Sequence, residues 1–223
     1  MKLVFYSGGQ SRKNKALHQA LSELSGPSRR KTFTYVPFCT DGSEPYFSKA
    51  VRRYKPYGFA HFNFFPVDQR LQSEALKRAL GSEVIYLAGG NTFYFLNYLR
   101  KSGLLGKLSA YVKSGGVLAG LSAGGLIMTP SIALAGYPAW EADKNDIQLK
   151  NLKGLGLVSF EFYPHFKRSP RLKAALSQYS RNHKTPILTA EDGGGVVVNG
   201  KMTTLLGKIN LLADGEFYEM SSR

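Results

Sequence analysis

The stretch Gly115-Gly116-Val117-Leu118-Ala119-Gly120-Leu121-Ser122-Ala123-Gly124-Gly125 decides how the chain is read. Gly115–Leu121 is an apolar run of strand length that leads without a break into Ser122. The Ala/Gly-rich residues after Ser122 are small and able to start a helix. A buried strand that turns directly into a helix is the building unit of a parallel sheet covered on both faces. Within it, Gly120-Leu121-Ser122-Ala123-Gly124 has the form G-x-S-x-G. Small neighbours let the backbone turn sharply and lift the serine Oγ above the sheet edge. The following helix end offers free N–H groups to a developing negative charge. The alternative is a glycine-rich turn with an incidental serine.

Upstream of this stretch the pattern alternates. Strands are expected at Lys2–Tyr6, Thr32–Phe38, Phe59–Val67 and Glu83–Ala88. Helices are expected at Lys15–Leu24, Glu44–Tyr54, Asp68–Leu80, a segment ending at Leu99, and Leu104–Val112. After residue 155 strands dominate: Leu157–Phe166, Pro186–Ala190, Gly195–Val198 and Met202–Leu206, with one helix near Pro170–Arg181. Asn199-Gly200 marks a hairpin between the last two strands, with left-handed φ expected at both positions. The whole, residues 1–223, reads as one α/β domain. Its expected form is a three-layer αβα sandwich with a mainly parallel central sheet and a C-terminal β-hairpin region.

Composition narrows the function classes. The 223 residues are 43% hydrophobic and 20% charged, which suits an ordinary globular chain with a full core. Cys39 is the lone cysteine, so no intrachain disulfide can form, and a reducing, cytoplasmic setting is expected. The apolar run Leu3–Tyr6 is too short for a signal-peptide core, and no stretch approaches the roughly 20 apolar residues of a membrane span. Thirty basic against 15 acidic residues give a net charge of +15. The excess is scattered in short groups: Arg29-Arg30-Lys31, Arg52-Arg53 and Lys167-Arg168. It suits a solvated surface, steering of acidic ligands, or nucleic acid. No long basic run or RNA-stacking signature accompanies it, so no specific nucleic-acid partner is expected.

A serine nucleophile needs a base. Of four histidines, His18 falls in a helix, His61 in an early strand and His183 in a polar Arg-Asn-His-Lys segment. His165 ends an apolar strand as Tyr163-Pro164-His165-Phe166, where a sheet edge can face Ser122. An acid must orient the ring. Glu191 and Asp192 stand side by side at a strand end, and Asp143 and Asp146 lie between the serine and the histidine. The second pair would give the Ser, acid, His order of an α/β-hydrolase; the first would not. Gly89-Gly90-Asn91-Thr92 closes another strand. Its glycines permit close backbone approach to a ligand, and Asn91 or Thr92 can cap the next helix. An N–H of this turn could join that of Ala123 in facing an oxyanion.

Four blocks together resemble peptidase E, the aspartyl dipeptidase family related to cyanophycinase: Tyr86–Thr92, Gly120–Gly124, Tyr163–Phe166 and Ala190–Gly193 with the Asn199-Gly200 hairpin. The resemblance spans about residues 83 to 212. It implies a fold similar to class I glutamine amidotransferases, with serine where those enzymes carry cysteine. It implies Ser122 as nucleophile, His165 as base, Glu191 as the orienting acid with Asp192 as alternative, and Gly90 and Ala123 as oxyanion donors. It further implies release of an N-terminal aspartate from small peptides without metal or cofactor. Gly89, Asn91 and an arginine beyond the histidine, Arg168 or Arg171, would contact the substrate. A monomer or homodimer is expected. The rival expectations are a related hydrolase acting on cyanophycin-like or β-aspartyl peptides, and a catalytically silent protein that holds polyanions.

Overall fold

The computed structural model describes residues 1–10, 12–28 and 30–220. Arg29, counted above in a basic group, lies outside the described residues. The elements run in the order β1 (Lys2–Tyr6), α1 (Lys15–Leu24), β2 (Lys31–Val36), α2 (Glu44–Tyr54), β3 (Phe59–Phe64), α3 (Ser73–Leu80), β4 (Val84–Leu87), α4 (Thr92–Lys101), α5 (Leu104–Lys113), β5 (Val117–Leu121) and α6 (Ala123–Met128). There follow β6 (Glu161–Tyr163), α7 (Pro170–Asn182), β7 (Ile187–Ala190), β8 (Gly195–Asn199), β9 (Met202–Leu206), β10 (Ile209–Ala213) and β11 (Glu216–Met220).

Seven strands form the large sheet in the order β3-β2-β4-β5-β1-β8-β9. The first five strands of the chain are mutually parallel, and β8 and β9 add an antiparallel edge. Alternation along each strand serves two cores. Leu3 and Phe5 of β1 enter one core, with Leu96 of α4, Leu108 of α5 and Leu176 of α7. Val4 and Tyr6 enter the other, with Leu21 of α1 and Tyr54 of α2. Each of these side chains is fully buried, and burial of this kind stabilises by roughly 1.5–3 kcal/mol per large apolar side chain. Helices therefore cover both faces, because a strand apolar on both sides must be buried on both.

A second sheet has the order β11-β10-β7-β6. It packs into the first core through Phe162, Ile187 and Leu212. Sequence reasoning missed this sheet and the strands β10 and β11. The signal was present: Asp214-Gly215 joins the two strands with left-handed φ of 51° and 83°, the backbone a two-residue hairpin asks for. At Asn199-Gly200 the hairpin forms, but only Gly200 has positive φ. Asn199 is still a strand residue paired with Met202, so the turn residues are Gly200 and Lys201.

Several elements are shorter than expected, two of them for a reason the contacts show. The helix expected over Asp68–Leu80 starts at Ser73, because the Asp68 carboxylate accepts the Thr40 N–H at 2.8 Å and the Thr40 hydroxyl at 2.6 Å and so anchors a loop. The strand expected over Leu157–Phe166 is confined to Glu161–Tyr163. Leu155, Gly156 and Leu157 instead give their N–H groups to the carbonyls of Ile127, Thr129 and Met128.

The topology decides where a site can form. Tyr6, Leu87 and Leu121 end three neighbouring parallel strands on one edge, with Tyr6 paired to Leu121 and Leu87 to Gly120. Antiparallel β8 begins at that edge, since Gly195 pairs with Tyr6. The carboxyl edge of a parallel sheet is where loops converge on ligands.

Candidate active site

Ser122 sits between β5 and α6 with φ 49° and ψ −108°, a backbone that a residue with a side chain rarely adopts. The turn is held from both sides. The Ser122 N–H donates to the Tyr6 carbonyl at 2.9 Å, and the Gly124 N–H donates to the Ala88 carbonyl at 3.2 Å. A Cβ on Gly124 would lie 2.3 Å from the Leu87 carbonyl oxygen, so only glycine lets α6 pack this close to β4. The strained serine is thus fixed by its neighbours, which is what a nucleophile elbow requires.

The His165 Nε2 lies 3.0 Å from Ser122 Oγ, and its Nδ1 lies 2.7 Å from Asp192 Oδ1. A carboxylate only accepts, so Nδ1–H donates to Asp192 and Nε2 is left to accept from the serine hydroxyl. The three groups stand in the chain order Ser, His, Asp. Ser122 comes from the end of a large-sheet strand, and His165 and Asp192 follow small-sheet strands β6 and β7. A hydroxyl, an imidazole and a carboxylate in this sequence of contacts can generate an alkoxide and return its proton.

Comparison with known proteins agrees with this chemistry. The sequence model of peptidase family S51 matches residues 3–206. The chain belongs to peptidase family S51. It is therefore a serine-type peptidase. It is 28% identical over 216 residues to a protein of Drosophila melanogaster named probable alpha-aspartyl dipeptidase, covering 90% of this chain and 84% of that one. It is 30% identical over 156 residues to peptidase E of Salmonella arizonae, covering 68% and 61%. The crystal structure of a peptidase from an acI-B1 actinobacterium superposes with a TM-score of 0.70 at 18% identity, covering 99% of this chain and 94% of that one.

In this S51 peptidase the acid beside the histidine is Asp192, and the expectation for Glu191 is corrected. Glu191 follows the last residue of β7, and Asp192 enters a turn closed by the Gly194 N–H on the Glu191 carbonyl, so the two carboxylates part company there. The Glu191 carboxylate takes Arg168 Nε at 2.8 Å and Lys208 Nζ at 3.5 Å. Burial alone would raise its pKa, but Arg168 and Lys208 together hold it below the usual carboxylate value. Asp143 is not an orienting acid either. It accepts the Thr92 N–H at 2.8 Å and the Thr92 hydroxyl at 2.6 Å, at the positive end of α4. Asp146 is exposed in a turn, and the His165 Nδ1 is already taken by Asp192.

The substrate-contact expectations divide in the same way. Gly89 and Gly90 line a cavity that includes Ser122 and His165. Gly90 has φ 145°, and a Cβ there would meet Phe38 at 2.2 Å. Among the described residues, neither the Gly90 nor the Ala123 N–H donates to another protein group, which leaves both for a ligand. Asn91 is committed to structure: its Oδ1 caps α4 through Phe93 and Tyr94, and its Nδ2 donates to the Lys144 carbonyl. The Arg168 guanidinium is taken up by Glu191 and by Glu219, the latter at 2.7 Å. Arg171 stacks 3.9 Å over the Trp140 ring.

Two residues at the end of β1 escaped sequence reasoning. Ser7, fully buried, accepts the His165 N–H at 2.7 Å and donates its own hydroxyl to the Ala190 carbonyl at 2.8 Å. It ties the large sheet to both small-sheet strand ends. Gly8 lies directly beneath the His165–Asp192 pair, and a Cβ there would be 2.3 Å from each of them. The Gly8-Gly9 pair at a strand end was the available signal. It repeats the Gly89-Gly90 pattern on the other side of β5, at the same sheet edge.

Ser122 and His165 stand where two cavities meet. The larger, 820 Å³, carries Glu141, Arg168, Glu191 and Lys208, whose charges are matched within the protein. The smaller, 500 Å³, runs from Gly8 and Gly89 toward α2.

Proposed function

We propose that this S51 peptidase hydrolyses short peptides, with aspartate at the N-terminus, through an acyl-enzyme. Ser122 Oγ attacks the scissile carbonyl carbon while His165 Nε2 takes its proton. Asp192 holds the resulting imidazolium in place through Nδ1–H. The N–H groups of Gly90 and Ala123 receive the oxyanion of the tetrahedral intermediate. The C–N bond breaks as His165 passes the proton to the leaving amine. Water, deprotonated by the same ring, then releases the acid and restores Ser122. A cytoplasmic setting fits the lone Cys39.

The observation that carries this reading is the continuous pair of contacts, 3.0 Å and 2.7 Å, from Ser122 through His165 to Asp192. The aspartate preference draws on the name of the Drosophila relative. A second reading, a hydrolase of other specificity such as one for β-aspartyl peptides, is favoured by one fact: Arg168 and Arg171 are both engaged elsewhere. The test is labelling of Ser122 by a serine-directed phosphonate, followed by turnover of Asp-X, X-Asp and β-aspartyl peptides. A chain that is not labelled at Ser122 would falsify the serine mechanism. Preferred turnover of β-aspartyl peptides would replace the first reading with the second.

A further inference from the structure

The smaller cavity presents two cations beside the nucleophile. Arg53 and Lys49, one turn apart on α2, line it together with Gln10, Tyr46 and the reacting pair Ser122 and His165. The Arg53 guanidinium donates to the Gln10 carbonyl at 3.2 Å, which fixes its head, and Lys49 Nζ lies 5.3 Å over the Tyr46 ring. No ion pair within the described chain involves either cation, and no carboxylate lines this cavity. The larger cavity is the reverse case, with Arg168 held between Glu191 and Glu219.

A third group belongs to the same place. Gln10 has a left-handed backbone, φ 39°. Its side-chain Nε2 and Oε1 are both buried without a hydrogen-bond partner. A buried amide left unpaired is costly, so such a group is ordinarily matched by something that binds. A carboxylate offers two acceptor oxygens for Arg53 and Lys49 and a further lone pair for the Gln10 amide N–H, and an N–H of the same peptide is the donor that the Gln10 Oε1 calls for.

We infer that Arg53, Lys49 and Gln10 form a subsite for a carboxylate of the peptide substrate, so that recognition of negative charge in this chain resides on α2. The inference rests on the hydrolase reading above. A peptide such as Asp-Leu carries two carboxylates, on the aspartate side chain and at the C-terminus, and either presents the same chemistry to the cavity.

The experiment compares kcat/KM of the full chain and of Arg53→Gln and Lys49→Gln on Asp-Leu, Asn-Leu, Asp-Leu-amide and Asn-Leu-amide, with phosphonate labelling of Ser122 measured alongside. Loss of a charge-assisted contact predicts that the preference for Asp-Leu over Asn-Leu-amide falls about ten- to a hundredfold in each variant, mainly through KM. A loss that vanishes with Asn-Leu assigns the subsite to the side-chain carboxylate, and one that vanishes with Asp-Leu-amide assigns it to the C-terminus. An equal loss on all four peptides, or no loss, overturns the subsite while leaving the hydrolase intact. Wild type that is labelled at Ser122 but cleaves none of the four overturns the subsite and the substrate class together. Failure of labelling overturns the reading beneath both.

Discussion

The large sheet and the small sheet each contribute half of the site, and they do so by different physics. The large sheet supplies Ser122, Gly90 and Ala123 from strand-end turns whose shape is set by a few adjacent residues. Ser122 is strained, but its strain is held by Tyr6 and Ala88 carbonyls in the same sheet. The small sheet supplies His165 and Asp192, and nothing local to either residue says where it will stand. Their position depends on the docking of one sheet on the other. Local geometry is robust and legible; long-range placement is neither, and it needs ties of its own.

The largest expected effect tests the local half. Ser122→Ala should lower peptide turnover by roughly 10⁴-fold or more while leaving the thermal midpoint within a few degrees. Release of backbone strain by the change is not expected, since alanine disfavours that φ as serine does. Full activity in this variant would mean that the large sheet does not carry the nucleophile.

The next test separates the two adjacent acids of the distant half. Asp192→Asn should reduce kcat by roughly 10³–10⁴-fold, because the amide no longer selects the tautomer that leaves Nε2 free to accept. Glu191→Gln disturbs only a surface pairing with Arg168 and Lys208 and should change kcat less than about threefold. A reversed ranking, read in parallel steady-state assays, would place the wrong acid behind the ring.

These two tests mark what the amino-acid sequence could and could not show. The elbow at Gly120–Gly124 and the Gly89-Gly90 turn were readable because the turn chemistry lies within five residues. His165 was readable by exclusion, its strand end being the one suited to the task. The choice between Glu191 and Asp192 was not readable, because both acids stand where β7 gives way to a turn, and the course of that turn decides which carboxylate meets the ring. That course is fixed by pairing of β7 with β10, a strand the hydrophobic pattern did not announce, and by the Gly193 N–H donating to the Gly8 carbonyl. The α/β alternation of the first half was readable, whereas the second sheet was hidden by its short strands and by an Asp-Gly turn passed over.

A third test sets the two halves against each other through their histidines. His18, on α1, is buried against Tyr6 and Tyr54 under the large sheet. Burial first, and the nearby Arg53 charge second, lower its pKa from 6.5 to about 4. Above pH 6.5 the ring is neutral whether folded or not. Between 6.5 and 4 the unfolded chain binds a proton that the folded one refuses, so stability falls as pH drops through that window. The full difference corresponds to roughly 3 kcal/mol. Urea midpoints should therefore decline from pH 7 to pH 4.5, and His18→Phe should flatten that decline. An unchanged slope in the variant would show that this ring titrates normally in the core.

The smallest expected effect concerns the tie between the sheets. Ser7 receives the His165 N–H and reaches the Ala190 carbonyl, two residues before Asp192, so one hydroxyl sets the position of both small-sheet groups relative to β1. His165 also has a left-handed φ of 56°, which its surroundings must hold in place. Ser7→Ala removes both bonds and leaves the part-buried His165 N–H without its acceptor, at a cost of about 1 kcal/mol. If that cost were purely structural, the melting temperature would drop and kcat would stay. If Ser7 positions the ring, kcat falls about ten- to a hundredfold with KM little changed, because a displacement near 1 Å lengthens the contact from His165 to Ser122 without touching substrate binding. The split between kcat and KM, measured beside a melting curve, therefore decides whether the inter-sheet tie serves catalysis or only the fold.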